Sequence, residues 1–385
     1  MRKKYFIINF FLGLALNNSI VVYAQEEEFG KYEWIKEKLD IKPFDFLTMR
    51  ENFILYDQNQ SSVESQLSDM CYYKYNIEDK TTTFLGKIDD WHLTSSDYTF
   101  NQNMIYIWYQ VYTEESGSDP YNIIENLYCI NYDKESVKMV RKESVYQQLI
   151  FQDTIDQYLA FMKGSFDENQ GSASIQLIPF SKIEGAQSKT VVEKKYDQKK
   201  KKGEWIEQFC AENGQLYIVV REFDDNVNEQ ECKIEVYDVD GTYIRELYFD
   251  DHMAELLQEK NIMTFEVLGK CAFCQMTSGS SLMLDLSGDQ AQIVVEWDWD
   301  DLVDISISEN ATDAILFGSS SGKIWKWEAK TNMLYEFDTP FEQIERVAYD
   351  GKKNAVVITA QEMQAKDAYL IDLEEMPVKG IMYLQ

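Results

Sequence analysis

Val303-Asp-Ile-Ser-Ile307, Ala314-Ile-Leu-Phe-Gly318 and Lys323-Ile-Trp-Lys-Trp-Glu328 follow one another within residues 303–328. Each run is too short for a stable helix and rich in β-branched or aromatic residues. Each is also bounded by serine, glycine, asparagine or an acid, which is the pattern of successive short strands. The third run ends on an acid, and that ending recurs along the chain. It closes Tyr-Lys-Tyr-Asn76, Tyr-Cys-Ile-Asn131, Val-Tyr-Asp238, Leu-Met-Leu-Asp285 and Tyr-Leu-Ile-Asp372, with a degenerate copy at Gln-Leu-Ile-Pro179.

In chain order these endings lie 55, 48, 59, 47, 43 and 44 residues apart. Upstream of most of them a second hairpin repeats, as in Ile344-Glu-Arg-Val-Ala-Tyr349 followed by Ala355-Val-Val-Ile-Thr359. Asn213-Gly214, Asp240-Gly241 and Asp350-Gly351 supply hairpin turns. Two hairpins per unit at a blade-sized period predict an all-β chain, a β-propeller of four-stranded antiparallel blades, about seven of them with six or eight as neighbouring counts. A sandwich also has many short strands but lacks such a repeat. With five prolines and no sustained helical period, the chain has room for one short helix at most, over residues 252–258.

Lys233-Ile-Glu-Val-Tyr-Asp-Val-Asp-Gly-Thr-Tyr-Ile-Arg245 resembles the third-to-fourth strand hairpin of NHL-like and six-bladed bacterial propellers. Ser321-Gly-Lys-Ile-Trp-Lys-Trp327 is similar to the corresponding strand of WD40-type blades. The resemblance spans residues 44–385 with generic motifs. It implies the fold and no particular ligand, because one fold hosts many functions.

The chain begins Met1-Arg-Lys-Lys4, then runs apolar from Tyr5 to Leu16, and reaches Val22-Tyr-Ala24 after a polar break at Asn17-Asn18-Ser19. This order predicts a signal peptide over residues 1–24, hence a secreted or extracytoplasmic protein at a cell surface or in a periplasm. The alternative is that Tyr5 to Ala24 stays uncleaved as an anchor; no later stretch has spanning length. Residues 25–43 form an N-terminal segment in which 31–39, containing Trp34, pairs as a ring-closing strand with the last blade. The propeller occupies 44–385.

Cleavage would leave 34 Lys+Arg against 67 Asp+Glu and move the net charge from −30 to −33. Such a surface repels nucleic acid and anionic membranes. Six cysteines, Cys71, Cys129, Cys210, Cys232, Cys271 and Cys274, permit disulfides in an exported chain, with pairing left open. Cys271-Ala-Phe-Cys274 falls in a β-rich segment, where i and i+3 point to opposite faces, so buried thiols are expected rather than a redox pair. The lysine run Lys199–Lys202 reads as a solvated loop. Trp297 with Trp299, and Trp325 with Trp327, alternate along strands and are expected to pack between blades.

In a four-stranded blade the loops after the second and fourth strands emerge on one face. Those after the second strand are long and polar, so this face is the expected binding surface. Three of the blade-to-blade connections share their content: Asp89-Asp90-Trp91-His92, Asp250-Asp251-His252 and Asp298-Trp299-Asp300-Asp301. Asp90, Trp91, His92, Asp251, His252, Asp298, Trp299, Asp300 and Asp301 are therefore the candidate ligand-binding residues. Carboxylates around one axis suit a hard cation or, with the aromatics, a sugar, although aspartate also begins ordinary turns.

Two histidines in all leave little for a histidine-rich metal site or a Ser-His-Asp triad, and no glycine-rich phosphate loop occurs. No catalytic residue and no cofactor is assigned, beyond weak binding of a divalent cation such as calcium. The expected function is a non-enzymatic, monomeric binding or scaffolding propeller that engages a protein or a surface glycan. The alternative is a carbohydrate-active enzyme with paired carboxylates drawn from Asp90, Asp251, Asp298, Asp300 and Asp301.

Overall fold

The acids and amides that end the repeated strands close the turns that follow them. Oδ1 of Asn76 accepts from the amides of Glu78 and Asp79 at 2.9 and 3.2 Å, and Oδ1 of Asn131 from those of Asp133 and Lys134 at 3.2 and 2.8 Å. Asp238 does the same for Asp240 and Thr242, Asp285 for Ser287, and Asp372 for Glu374. A short polar side chain that bonds backbone two or three residues on competes with further extension and reverses the chain. The repeated ending is thus a turn-forming device in five of the seven units; Glu328 accepts instead from the Thr331 hydroxyl at 3.2 Å, and Pro179 has no such group.

The computed structural model describes residues 32–43, 47–61, 68–91, 96–112, 122–146, 152–166, 170–224, 231–277, 279–297, 303–307, 313–362 and 365–384. Its first strand is β1 (Ile35–Leu39). Blade 1 holds β2 (Leu47–Arg50), β3 (Phe53–Ser61), β4 (Ser68–Asn76) and β5 (Thr81–Trp91), and blade 2 holds β6 (Ser96–Asn101), β7 (Met104–Tyr112), β8 (Asn122–Asn131) and β9 (Ser136–Tyr146). Blade 3 is β10 (Gln152–Ile155), β11 (Tyr158–Phe166), β12 (Gln170–Pro179) and β13 (Lys189–Asp197). Blade 4 is β14 (Lys202–Glu212), β15 (Gln215–Phe223), β16 (Glu231–Asp238) and β17 (Tyr243–Phe249), followed by the helix α1 (Asp251–Glu259).

Blade 5 is β18 (Ile262–Leu268), β19 (Cys271–Met276), β20 (Ser281–Asp285) and β21 (Gln290–Trp297). Blade 6 is β22 (Val303–Ile307), β23 (Asp313–Gly318), β24 (Lys323–Glu328) and β25 (Met333–Asp338). Blade 7 is β26 (Ile344–Asp350), β27 (Ala355–Glu362) and β28 (Ala365–Asp372), and β29 (Gly380–Tyr383) comes last.

Within every blade consecutive strands pair antiparallel, and short two-residue ladders join blade 3 to blade 4 and, in parallel, β17 to β21. The first strands line the centre: β26 lies against β2 and β22, β10 against β6 and β14, and β14 against β18. The chain is a β-propeller. Blade 7 takes its fourth strand from the other end of the chain, because β1 pairs antiparallel with β28 through Lys38 opposite Tyr369 and Leu39 opposite Ala368. β29 instead returns to blade 6 as a fifth strand on β25, with Tyr335 opposite Ile381.

Middle strands face a neighbouring blade on both sides. β19 and β23 are accordingly buried almost throughout, whereas outer strands such as β21 alternate. That is why the sequence shows short continuous apolar runs rather than strict alternation. Trp297 and Trp325 meet edge to face at 5.5 Å, and with the fully buried Trp327 they fill the space between blades 5 and 6. All six cysteines are free and buried, and Cys271 and Cys274 sit in separate cores on opposite faces of β19. Asn213 and Gly214 have φ of 51° and 73° and form a two-residue hairpin turn. Asp350-Gly351 opens a longer turn, 351–354, in which Asn354 carries the positive φ of 49°.

Candidate functional site

On the face expected to bind, the connection after β17 is built around Asp250. Its backbone is extended, and its Oδ1 caps α1 by accepting from the Met253 amide at 2.8 Å. The other carboxylate oxygen accepts from the amide of Ile293 on β21 at 2.9 Å. One side chain therefore starts the helix and moors it to blade 5. Met253 and Leu257, four residues apart on one face of α1, are buried between blades 4 and 5.

Beneath the helix lies a charge pair that sequence reasoning did not single out. Arg221 of β15 is bidentate to Glu207 of β14 at 3.1 Å, with both side chains less than a tenth exposed. The same guanidinium donates to the carbonyls of Leu257 and Lys260 at 2.6 and 3.1 Å, and Glu207 Oε1 accepts from the Ile262 amide at 2.7 Å. Burial raises the Glu207 carboxyl above its usual range despite the opposing pull of Arg221. The only signal in the sequence was an arginine at the end of an apolar run, Leu216-Tyr-Ile-Val-Val-Arg221.

Asp251 and His252 occupy the first turn of α1 and are exposed. Nε2 of His252 lies 3.2 Å from Oε2 of Glu296, near the end of β21, so these two candidates sit where blade 4 meets blade 5. Asp90 and Trp91 end β5 in blade 1, a different part of the ring, and their side chains lie outside the described residues. His92, Asp298, Trp299, Asp300 and Asp301 also lie outside the described residues. Among the described residues no three His, Cys, Asp or Glu side chains are grouped to hold a metal ion.

The first strands of blades 3 to 6 carry a series of carboxylates. Asp153 of β10 accepts from the amides of Ala211 and Thr154, each at 2.6 Å, and crowding by the surrounding blades raises its carboxyl to about 6, although the residue keeps part of its surface. Next to it, Cys210 Sγ lies 3.6 Å from Oε2 of Glu266 on β18. Burial also raises Glu212 and Asp304. It pushes the thiols of Cys232 and Cys271 up to about 12, which keeps them protonated and poor nucleophiles at neutral pH.

Lys199 to Lys201 of the lysine run fall in the connection 198–201 after β13, where Lys200 pairs with Asp197 at 3.1 Å, and Lys202 opens β14. The run's upstream neighbour Lys194 is not solvated but nearly buried, bridging Glu204 and Glu235 at 2.8 and 2.7 Å.

No protein-family model matches the sequence, and comparison with curated proteins gave no match. Solved structures do resemble it. The β-propeller domain of the Trilobed protease from Pyrococcus furiosus aligns with a TM-score of 0.54 at 9% identity, over 90% of this chain and 96% of that one. Periplasmic gluconolactonase of Pseudomonas aeruginosa aligns at 0.52 and 11% identity, over 85% and 95%. PorZ, a surface component of the type-IX secretion system of Porphyromonas gingivalis, aligns at 0.52 and 11% identity, over 89% of this chain and 38% of PorZ. At such identities the likeness is one of fold: an enzyme and a secretion-system component share this architecture. Among the described residues no helix is long and apolar enough to cross a membrane.

Proposed function

We propose that this is an extracytoplasmic binding propeller, monomeric and without catalytic activity, that engages a protein or a surface glycan through the face carrying α1. The observation that supports this reading is the asymmetry of the connections. On the opposite face most turns span two to four residues, such as 51–52, 102–103, 213–214 and 329–332. On the proposed face the described strand ends are as close as this in several blades, but Tyr112 and Asn122, and Phe223 and Glu231, stand further apart in the chain, and the helix-bearing connection 250–261 is longer still. Long connections held on a rigid scaffold are where binding residues concentrate, and the Arg221–Glu207 pair holds one of them in place. Calcium binds this face at most weakly, through carboxylates such as Asp251.

A photo-crosslinking residue placed at the exposed Glu255 of α1, and separately at the exposed Lys330 of the opposite face, tests the reading in the producing cell. Adducts at Glu255 and none at Lys330 are expected, or selective retention of the protein on a glycan array that is lost when 225–230 is shortened. Adducts at Lys330 alone, or turnover of a glycan, would overturn it.

A further inference from the structure

The repeated ending at Pro179 has no side chain that can accept from the turn, and there the fold departs from its repeat. Instead of a short turn, residues 180–188 make an excursion between β12 and β13, on the face opposite α1. Phe180–Lys182 form a 3-10 turn, and the amides of Gly185 and Ala186 return to the Lys182 carbonyl at 3.2 and 2.9 Å. Blade 2 holds the excursion in place. The Phe180 ring packs on Tyr106 with centroids 5.0 Å apart, Ile183 is buried, and Arg141 donates to the Ala186 carbonyl at 2.7 Å.

Between this wall and blade 2 lies a groove of about 670 Å³, a size that suits a small molecule. Its floor is apolar, made by Met104, Tyr106, Val140, Phe180 and Ile183. Its lining holds Lys134, Lys138 and Lys182 against one acid, Glu184, and the adjoining hollow adds Arg141 and Lys142 with the same glutamate. In a chain with 37 basic and 67 acidic residues, that is a local inversion of charge.

Lys134 and Lys182 are exposed and have no ion-pair partner among the described residues, while the neighbouring Asp133 is 2.6 Å from Nδ2 of Asn103. Lys138 pairs with Glu184 at 2.6 Å, both about two-thirds exposed, so solvent screens that pair and an incoming carboxylate can compete for the lysine.

We infer that this groove binds a small amphipathic anion, an aromatic carboxylate whose ring lies on Phe180 and the apolar floor beside it and whose charge meets Lys134, Lys138 and Lys182. The site is separate from the α1 face and does not depend on the function proposed for it.

Isothermal titration of the purified protein with 2-naphthoate, and with the neutral 2-naphthalenemethanol, tests the assignment. The acid is expected to bind at least about tenfold tighter than the alcohol at low salt, with the gap narrowing as salt shortens the screening length. Lys134→Gln with Lys182→Gln should close most of that gap and leave the alcohol unaffected. Glu184→Gln should tighten the acid by releasing Lys138. Phe180→Ala should weaken both probes, and the exposed lysine variants keep the test sound if that wall variant melts early. Equal binding of acid and alcohol, binding of neither, or an acid affinity unmoved by the double lysine variant would overturn the site.

Discussion

At the scale of single residues, the pair under α1 and the carboxyl of Asp153 make separable predictions. Removing one partner of a buried, hydrogen-bonded ion pair costs about 3–5 kcal/mol, because the other charge stays buried alone. Arg221→Met strands Glu207 and two helix-end carbonyls, so it should cost that much in chemical denaturation. Arg221→Met with Glu207→Leu should recover part of the loss. A single variant within about 1 kcal/mol of the wild type would show that the pair does not hold the helix.

Asp153 acts through pH. Its folded carboxyl titrates near 6, above the roughly 3.9 of an unfolded aspartate, so between those values the folded chain holds more protons. Stability should therefore fall as pH rises from about 4 through 6. Asp153→Asn removes that slope while adding a pH-independent penalty, since an amide oxygen cannot accept from both Ala211 and Thr154 as the carboxylate does. Parallel pH profiles of wild type and variant would exclude Asp153 as the source.

At the scale of elements, the two chain ends are held unequally. β1 and the residues flanking it bring Trp34, Leu39 and Ile41 into the cores at 6, 3 and 2% exposure, and β1 supplies the outer strand of blade 7. At about 1.5–3 kcal/mol per large apolar side chain, deleting residues 25–41 should cost on the order of 5 kcal/mol and lower Tm by many degrees. A synthetic peptide of residues 31–42 should restore part of it, saturably. β29 leaves Ile381, Met382 and Tyr383 about half exposed, and of the residues around it only Leu384 is buried, so truncation after residue 377 should cost less than half as much. An equal effect of the two deletions would mean that closure through β1 carries no special weight.

What the chain discloses in advance follows the range of each interaction. Asn76, Asn131, Asp238, Asp285 and Asp372 bond backbone two to four residues on, so the turn, and with it the blade period, is written locally. Arg221 clamps Leu257 and Lys260, 36 and 39 residues further on, and no local pattern encodes that. Pro179 was visible as a faulty copy of the repeat, yet the wall built after it depends on Tyr106 and Arg141 of another blade. Asp251 and His252 lie in the connection from blade 4 to blade 5, whereas Asp90 and Trp91, expected in a connection, end β5; the residue that organises the first of these is the neighbouring Asp250, whose mooring to Ile293 is again non-local.

At the scale of the whole molecule, a net charge of −30 opposes compaction, and the field is relieved either by salt or by protons. The buried carboxyls act in the same sense. Asp153, Glu207, Glu212 and Asp304 are all raised in the folded chain, so each favours folding more as pH falls toward the ordinary carboxylate range. Among the described residues four carboxylates oppose them: Glu235, held by Lys194, Asp197, held by the Lys200 amide and ammonium, Glu51, held by Lys352, and Glu246, held by Tyr248 and Lys233, are lowered, and their contribution is lost only as pH falls through the usual carboxylate range and below it; of the four only Glu235 is substantially buried, so solvent screens the rest. With the raised acids buried and most of the lowered ones screened, the net charge and the buried carboxyls together put the stability maximum on the acidic side of neutrality. Melting curves from pH 4 to 8 at low and high salt check this. Added salt should raise Tm clearly at pH 8, where self-repulsion is largest, and much less near pH 5, close to the isoelectric point of 4.4. A maximum at or above pH 7, or a salt effect equal at both pH values, would show that the lowered carboxylates and their lysine partners outweigh the buried acids and the net charge.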